Sequence, residues 1–336
     1  MRDVAIQNGR IAAVAARIDP ALATQTVSIR GLYIMPGLID IHVHVLPAPV
    51  NAAPLQATTA CTPTGSRSAP ESRRSPTRDV PAGGISRISN NGLSIAHKTR
   101  VLAFLNIVGN GMRGPKFEND LADMEVKPAA DMAAKHKGLI VGIKTAHYAG
   151  PEWTPVEHAV EAATLANIAV MVDFGANLSQ RPITELVTKK LRPGDIYTHV
   201  YSGLRNELVS GQVNPALFEA RKRGVIFGDG NGSFAWRIAV PAIKEGFPPD
   251  SISTDLHIGS MNSGMQDMTN VMSKFLSLGL SLEDVVAQST WNPAREIRHE
   301  ELGNLSVGSP ADIAASLGWI GRRCPRLTTS ERPADR

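Results

Sequence analysis

The sequence predicts an α/β protein whose main body is a (β/α)8 TIM-like barrel, for three reasons. Short apolar runs of strand length alternate with segments that carry helix signals through most of the 336 residues. Seven such runs can be counted as barrel strands. No glycine-rich phosphate loop follows any of them, and this disfavours a doubly wound, dinucleotide-binding sheet.

The chain begins with a predicted β-hairpin. Asn8-Gly9 separates two short apolar runs in DVAIQNGRIAAV. This dipeptide favours a type I′ turn, because both residues tolerate a positive φ. The next run, GLYIMPGLIDIHVHV at 31–45, is predicted as the first barrel strand.

Six later apolar runs are predicted as buried parallel strands, because they are continuous and bounded by turn residues or helix signals. They cover 99–108, 139–148, 168–175, 195–203, 225–230 and 251–257. An eighth strand would fall within 46–90, so the second strand unit is predicted to be damaged or missing.

Helices are predicted in the later gaps, at about 182–190, 214–223 and 233–245. Two further helices have explicit starting signals. Thr154, followed by proline and then by Glu157, predicts a capping box. Ser281 precedes two acidic residues in a first helical turn, where the helix dipole favours negative charge.

Residues 46–90 and the tail 317–336 differ in composition from the rest of the chain. The first window holds seven Pro and eleven Ser or Thr, with no aromatic residue and no strand or helix period. The tail is similar and is predicted to be irregular. One hypothesis is a disordered insertion and tail. We favour another, out-of-frame translation of a GC-rich gene, which the coding DNA can test.

The charge distribution disfavours nucleic acid and membrane partners. The net charge is +4, but each anomalous window contributes +3, which leaves −2 on the remainder and no basic stripe. No apolar run approaches the roughly 20 residues of a membrane helix, and the first ten residues do not form a signal peptide. Two distant cysteines exclude a disulfide framework. A cytoplasmic location is therefore expected.

Residues able to bind a metal follow several predicted strands. His42 and His44 lie two apart, so both imidazoles point to one face of a strand. Compatible side chains end four later runs, namely Lys144, Asp173, His199 and Asp255. Barrel enzymes place their active sites at the carboxyl ends of the strands, so we expect these side chains to meet. The alternative is a set of polar strand ends with ordinary hydrogen bonds.

Lys144 is unusual because a lysine within a buried strand is rare unless its charge is resolved. Its ammonium would be repelled by nearby dications. Carbamylation by CO2 would turn it into an anionic, bridging ligand. The alternative is a lysine whose side chain extends to the barrel rim.

Six motifs together resemble the amidohydrolase superfamily of metal-dependent hydrolases, and within it the amidohydrolase/deacetylase branch near the dihydroorotase-like enzymes. They are PGLIDIHVHV (36–45), GIKTAHY (142–148), THVYSG (198–203), STDLH (253–257), STWNPAREI (289–297) and LSVGSPADIA (305–314). The resemblance implies a barrel at 35–299, with 1–34 and 300–316 forming a small partial β-sandwich.

The resemblance also implies a binuclear metal centre, usually of zinc, bridged by a carboxylated lysine and a hydroxide. By motif, His42 and His44 would hold the first metal and Lys144, as its CO2-derived carbamate, would bridge the two. His199 would bind the second metal, and Asp255 would be both a ligand and the proton shuttle. Asp173 stands where the superfamily often has histidine, so it is either a ligand or a hydrogen-bond acceptor beside one.

Three further residues are candidates for substrate contact: His147, Tyr148 and His257. The implied function is hydrolysis of an amide or acyl-ester bond in a small molecule by a metal-activated hydroxide. Two alternatives stay open, a cyclic-amide hydrolase of the dihydroorotase or hydantoinase type and an inactive fragment of such an enzyme. Self-association into a homo-oligomer is also left open.

Overall fold

The computed structural model describes residues 2–44, 61–62, 99–173, 175, 177–257, 260–261 and 265–317. The predictions for most of 46–90 and for the tail after 317 lie outside these residues. Fourteen strands are described: β1 (Asp3–Gln7), β2 (Arg10–Ala15), β3 (Leu32–Pro36), β4 (Cys61–Thr62), β5 (Arg100–Val101), β6 (Ala103–Asn106), β7 (Ile140–Thr145), β8 (Ala169–Val172), β9 (Ile196–Tyr197), β10 (Leu208–Val209), β11 (Gln212–Val213), β12 (Ile226–Gly230), β13 (Ser251–Ser253) and β14 (Ile313–Leu317).

Helices separate most of the long strands. In the described part of the chain they are α1 (Pro115–Glu118), α2 (Val126–Lys135), α3 (Thr154–Ala166), α4 (Ile183–Glu185), α5 (Pro215–Lys222), α6 (Trp236–Lys244), α7 (Met268–Ser277), α8 (Leu282–Ser289) and α9 (Trp291–Glu296). A π-helical turn, Leu186–Lys190, continues α4, and 3-10 turns cover Pro20–Leu22, Leu121–Asp123, Asn231–Ser233 and Glu300–Leu302. Among these described helices, none is both long and apolar enough to cross a membrane.

Six strands form one parallel sheet in the order β6-β7-β8-β9-β12-β13. This order follows the chain, as in a (β/α) barrel, and each of the six lies within a predicted run. The segment that carries His42 and His44 continues the sheet beside β13. Val43 forms a parallel bridge with Leu256, and the Asp255 amide donates to the His42 carbonyl at 2.7 Å. The predicted α/β barrel fold is confirmed.

The run 31–45 is divided, so its prediction as one continuous strand is wrong. Leu32–Pro36 pairs antiparallel with Ile313–Leu317, whereas only the residues that follow reach β13. Pro36-Gly37, a turn dipeptide within the run, lies where β3 ends, but the partner of β3 comes from the opposite end of the chain. A second barrel strand would lie between this segment and β6. Of residues 45–98 only Cys61–Thr62 is described, and it pairs antiparallel with Arg100–Val101.

Local turn and cap predictions have mixed outcomes. Asn8 and Gly9 have φ of 51° and 72°, which confirms the type I′ hairpin between β1 and β2. Ser281 Oγ accepts from the Asp284 amide at 3.0 Å, which confirms the start of α8. The capping box at Thr154 is wrong. Thr154 is already helical, and the cap residue Trp153 makes no side-chain capping hydrogen bond.

Apolar residues pack on both faces of the sheet. On β8, Val170 and Val172 contact the helix layer, while Met171 between them joins Ile196 in the barrel interior. This alternation explains the continuous apolar runs, because a strand buried on both sides needs no polar face. Two small antiparallel sheets lie outside the parallel sheet, the N-terminal hairpin β1-β2 and the pair β3-β14, which joins the two described chain ends. The division into a sandwich (1–34, 300–316) and a barrel (35–299) stays a prediction.

Glu296 on α9 is a buried carboxyl group with incomplete hydrogen bonding. Ser251 Oγ donates to its Oε2 at 2.8 Å, and its Oε1 has no hydrogen-bond partner among the described residues. Burial, partly opposed by the Ser251 hydrogen bond, raises the pKa of Glu296 from 4.5 to about 8. The folded chain therefore holds a proton here that the unfolded chain has already released.

We expect Glu296→Gln to raise the free energy of unfolding at pH 8 by about 1–3 kcal/mol, because glutamine does not titrate and so avoids the stability that the wild type loses as the pH rises above 4.5. Near pH 5 the effect should be small, because the native carboxyl is then neutral. The wild type loses stability as the pH rises from 4.5 towards 8. Urea unfolding at both pH values measures this, with the exposed Glu161→Gln as control. An equal gain at both pH values would contradict the prediction.

Candidate metal centre

Six predicted site residues lie where strands of the parallel sheet end. Lys144 is in the last part of β7, Asp173 directly follows β8, and His199 comes two residues after β9. Asp255 comes two residues after β13, beside the segment with His42 and His44. His44 is partly buried and the other five are buried. The structure brings all six together, as expected for the carboxyl ends of parallel strands.

The first ligand group surrounds one oxygen of Asp255. Oδ1 lies 3.0 Å from His44 Nε2 and 3.4 Å from His42 Nε2. The candidate ligand atoms of these three residues lie within 4.8 Å of one another, close enough to bind a common ion. Burial alone would raise the pKa of Asp255, but His42, His44 and His199 outweigh it and lower the pKa below its ordinary value. Asp255 is therefore a carboxylate.

The second ligand group consists of His42, Asp173 and His199, whose ligand atoms also lie within 4.8 Å of one another. His199 Nε2 lies 3.4 Å from Asp173 Oδ2 and 3.9 Å from Asp255 Oδ2. The two groups share His42, and Asp255 faces both of them. The arrangement provides imidazole nitrogens and carboxylate oxygens, the donors that Zn²⁺ and similar ions accept.

Lys144 lies inside this cluster and not at the rim. Its side chain is 0% exposed, and its Nζ is 2.8 Å from His42 Nε2. Burial lowers the pKa of Lys144 even though Asp173, Asp255 and Glu118 favour the charged form. The alternative of a lysine that extends into solvent is wrong for this residue.

The hydrogen bonds of His199 show that the site fits a cation. Nδ1 lies 2.7 Å from the carbonyl oxygen of Gly230, and a carbonyl only accepts, so Nδ1 carries the hydrogen. In the neutral ring, Nε2 then directs its lone pair at Asp173 and Asp255. Burial disfavours the imidazolium, but these carboxylates outweigh it and raise the pKa of His199. A positive charge between Nε2 and the carboxylates, whether proton or metal ion, relieves the repulsion.

Asp173 is also held by residues outside the ligand groups. Arg205 Nη2 lies 3.3 Å from Oδ1, and His147 Nε2 lies 3.2 Å from Oδ2. Burial alone would raise the pKa of Asp173, but His199 and His147 outweigh it and hold the pKa well below its usual range. The structure thus shows Asp173 as an acceptor for its neighbours, and its role as a metal ligand stays a prediction.

The three predicted substrate contacts have different surroundings. His147 is half exposed at the rim, with Nδ1 2.8 Å from Glu118 Oε2. Tyr148 is buried, and its hydroxyl donates to Glu152. His257 is partly exposed, with Nε2 3.8 Å from Asp255 Oδ2 and its ring centroid 5.6 Å from that of His44. Substrate contact by all three stays a prediction.

Sequence reasoning missed several residues that shape the site. Arg205 and Glu118 hold Asp173 and His147 from loops and a short helix, which carry no periodic signal. Thr198 contacts His42, with its Oγ1 2.9 Å from Nδ1. Thr198 directly precedes His199 in the motif THVYSG. Its position next to a predicted ligand is the sequence signal that could have identified it.

We expect Thr198→Val to weaken binding of a divalent metal ion about 10–100-fold, the usual loss when the hydrogen-bond partner of a histidine ligand is removed. Valine keeps the shape but cannot fix the orientation of the His42 ring. Competition with a chromophoric chelator measures the affinity. Thr164→Val, on the exposed side of α3, is the matched control. Unchanged affinity in Thr198→Val would show that the hydrogen bond does not orient His42.

Known proteins resemble this chain in both sequence and structure. A sequence profile described as the amidohydrolase family matches residues 219–318. A deacetylase of Agrobacterium fabrum is 30% identical over 324 residues, covering 91% of this chain and 75% of the relative.

Two solved structures extend the likeness. An adenine deaminase aligns with a TM-score of 0.78 at 24% identity, covering 94% of this chain and 85% of that one. A dihydroorotase aligns with a TM-score of 0.70 at 27% identity, with the same coverage. With the barrel and its strand-end histidines and carboxylates already described, these likenesses show that the chain belongs to the amidohydrolase superfamily of hydrolytic enzymes.

Proposed function

We propose that the protein is a metal-dependent deacetylase, which hydrolyses an amide or acyl-ester bond in a small molecule. The observation that carries the proposal is the pair of ligand groups that share His42 at the carboxyl ends of the barrel strands. The Agrobacterium relative is named a deacetylase, and this name supports hydrolysis of an acyl bond. A small-molecule substrate fits a reaction centre that is buried below the rim.

The residues that would hold the metal are His42, His44, Lys144, Asp173, His199 and Asp255. We propose two divalent ions, with zinc as the metal and Lys144 present as its CO2-derived carbamate. Such ions supply Lewis acidity for a carbonyl oxygen and bring the pKa of water from 15.7 to about 7. Carbamylation would replace the buried ammonium of Lys144 by an anion, and an anion is favoured between two metal ions.

Asp255 is the proposed proton shuttle. Its Oδ1 is occupied by His42 and His44, whereas Oδ2 faces the wider gap towards His199 and His257, at 3.9 and 3.8 Å. Oδ2 would accept the proton of the attacking water and then donate it to the leaving nitrogen or oxygen. The lowered pKa of Asp255 keeps it ionised before the water reacts.

The surrounding residues keep this arrangement in place. Thr198 orients His42, and the Gly230 carbonyl selects the His199 tautomer that presents Nε2. Asp40 connects the first and last strands of the barrel, because its Oδ1 accepts from the Thr254 amide at 3.1 Å and the His42 amide at 3.3 Å. The ligands are therefore positioned before a substrate arrives, which lowers the reorganisation that the reaction requires.

Metal analysis combined with a substrate panel tests the proposal. The purified full chain should contain about two divalent ions and should hydrolyse N- or O-acetylated acids. Treatment with a chelator should abolish the activity, and added Zn²⁺ should restore it. A chain that binds no divalent ion and hydrolyses no member of the panel would leave the inactive-fragment alternative.

A cyclic-amide hydrolase is the second candidate, favoured by the likeness to the dihydroorotase. Cyclic imides in the same panel distinguish it, because a deacetylase should prefer the open-chain substrates. The predicted cytoplasmic location and self-association stay predictions.

A further inference from the structure

The turn after β12 forms one wall of the candidate metal centre. The Gly230 carbonyl accepts from His199 Nδ1, and a Cβ on Gly230 would lie only 2.8 Å from His42 Nδ1. A Cβ on Gly232 would lie 2.1 Å from Asp255 Oδ2. The backbone of this turn therefore touches three candidate ligands, and a shift of the turn must also move His199 and Asp255.

The two glycines have no side chains, so Asn231 between them provides the side-chain anchor of the turn. Asn231 is buried, and its Nδ2 donates to Asp229 Oδ2 at 3.0 Å. Its Oδ1 accepts from Lys274 Nζ. Lys274 extends from α7, which contributes none of the candidate ligands, and its amino group lies 5.6 Å from the ring centroid of Phe234.

Lys274 fixes one orientation of the Asn231 amide. Its ammonium can only donate, so it requires the amide oxygen, and Nδ2 then faces the fully buried carboxyl group of Asp229. A flipped amide would place its NH2 against the ammonium. Hydrogen bonds to charged groups are stronger than neutral ones, particularly where water is excluded. Lys274 thus fixes the amide, and the amide fixes the turn.

We propose that Lys274 is a positioning residue for the metal centre, acting through Asn231 and the Gly230–Gly232 turn on His199 and Asp255. The proposal rests on the proposed function, because it concerns the geometry of ligands for a metal. Lys274 itself touches no reacting atom.

The test compares Lys274→Met, which keeps most of the side-chain length but removes the donor, with Lys244→Met, the same change at an exposed lysine on α6. Zn²⁺ affinity of the full chain is measured by competition with a chelator. Hydrogen exchange of peptides covering 226–236 is measured in the metal-free protein. Steady-state kinetics on an acetylated substrate give kcat and KM separately.

We expect Lys274→Met to weaken Zn²⁺ binding about 10–100-fold and to lower kcat by a similar factor with KM unchanged. Exchange should accelerate at the turn, while β13 and α7 stay protected. Asn231→Ala should have a similar effect, and the double variant should be no worse than either single one, because both act through one contact. Lys244→Met should match the wild type.

Wild-type Zn²⁺ affinity and wild-type exchange in Lys274→Met would overturn the proposal. Faster exchange spread over β13 and α7 would also overturn it, because Lys274 would then only stabilise the fold. If the wild type binds no Zn²⁺, the proposed function fails. Hydrogen exchange of residues 226–236 in the metal-free protein then still shows whether Lys274 holds the turn in place.

Discussion

Lys144→Met is expected to abolish binding of the second metal ion and to lower the rate of acyl hydrolysis by at least about 10³-fold. This loss exceeds the 10–100-fold cost of removing an outer hydrogen-bond partner, because Lys144 would itself join the two ions. Its Nζ lies within the ligand cluster, 2.8 Å from His42 Nε2, with no exposure to solvent. Methionine has nearly the same volume, so the change removes the nitrogen without opening a cavity.

Metal content after dialysis and initial rates at saturating substrate measure the effect. Lys244→Met is the control, since it removes the charge of an exposed lysine. Thermal unfolding of the metal-free proteins should show that Lys144→Met is folded, because a buried amine is replaced by an apolar side chain. Full metal content together with a wild-type rate would refute both the bridging role and the carbamate.

The ligand positions could be predicted from the sequence because they depend on regular structure. His42 and His44 share a face by the two-residue period of an extended segment, and Lys144 ends a continuous apolar run. Parallel strands bring their carboxyl ends to one rim, so residues distant in sequence could be grouped without coordinates. The same reasoning predicted the hairpin at Asn8-Gly9, because that turn depends on two adjacent residues.

The residues that support the ligands could not be predicted in this way. Arg205 reaches Asp173 from a loop, and Glu118 reaches His147 from a four-residue helix, so no period connects either pair. Pro36-Gly37 marks the break in the run 31–45, but the pairing of its first part with β14 joins residues 277 to 285 positions apart. Such contacts follow from how the whole chain folds, and a local pattern carries no trace of them.

The Gly230–Gly232 turn is another feature whose role could not be predicted from the sequence. Its glycines were visible in the sequence, but their purpose was not, since a glycine also occurs in ordinary turns. The structure shows that a Cβ at either position would collide with His199 or Asp255. A glycine-rich segment after a strand can therefore mark a wall of a metal centre as well as a phosphate loop.

Asp255→Asn is expected to lower kcat for an amide substrate about 10²–10⁴-fold, the range that general acid–base catalysis contributes. Asparagine has the same shape but cannot accept a proton at Oδ2 and return it to the leaving group. An acetyl ester with a strongly acidic leaving alcohol needs no proton at departure. The loss should therefore be smaller for this activated ester than for the amide.

The comparison of the two substrates separates the proton role of Asp255 from its role as a ligand. Assays at saturating Zn²⁺, with metal content measured alongside, keep the occupancy of the centre equal. Asp131→Asn, on the exposed face of α2, is the matched control. Weaker metal binding alone would slow both substrates equally, because both need the same centre. Equal losses at equal metal content would show that Asp255 acts only as a ligand, and the proton would then have to pass through another group at the rim, such as His257, whose Nε2 lies 3.8 Å from Asp255 Oδ2.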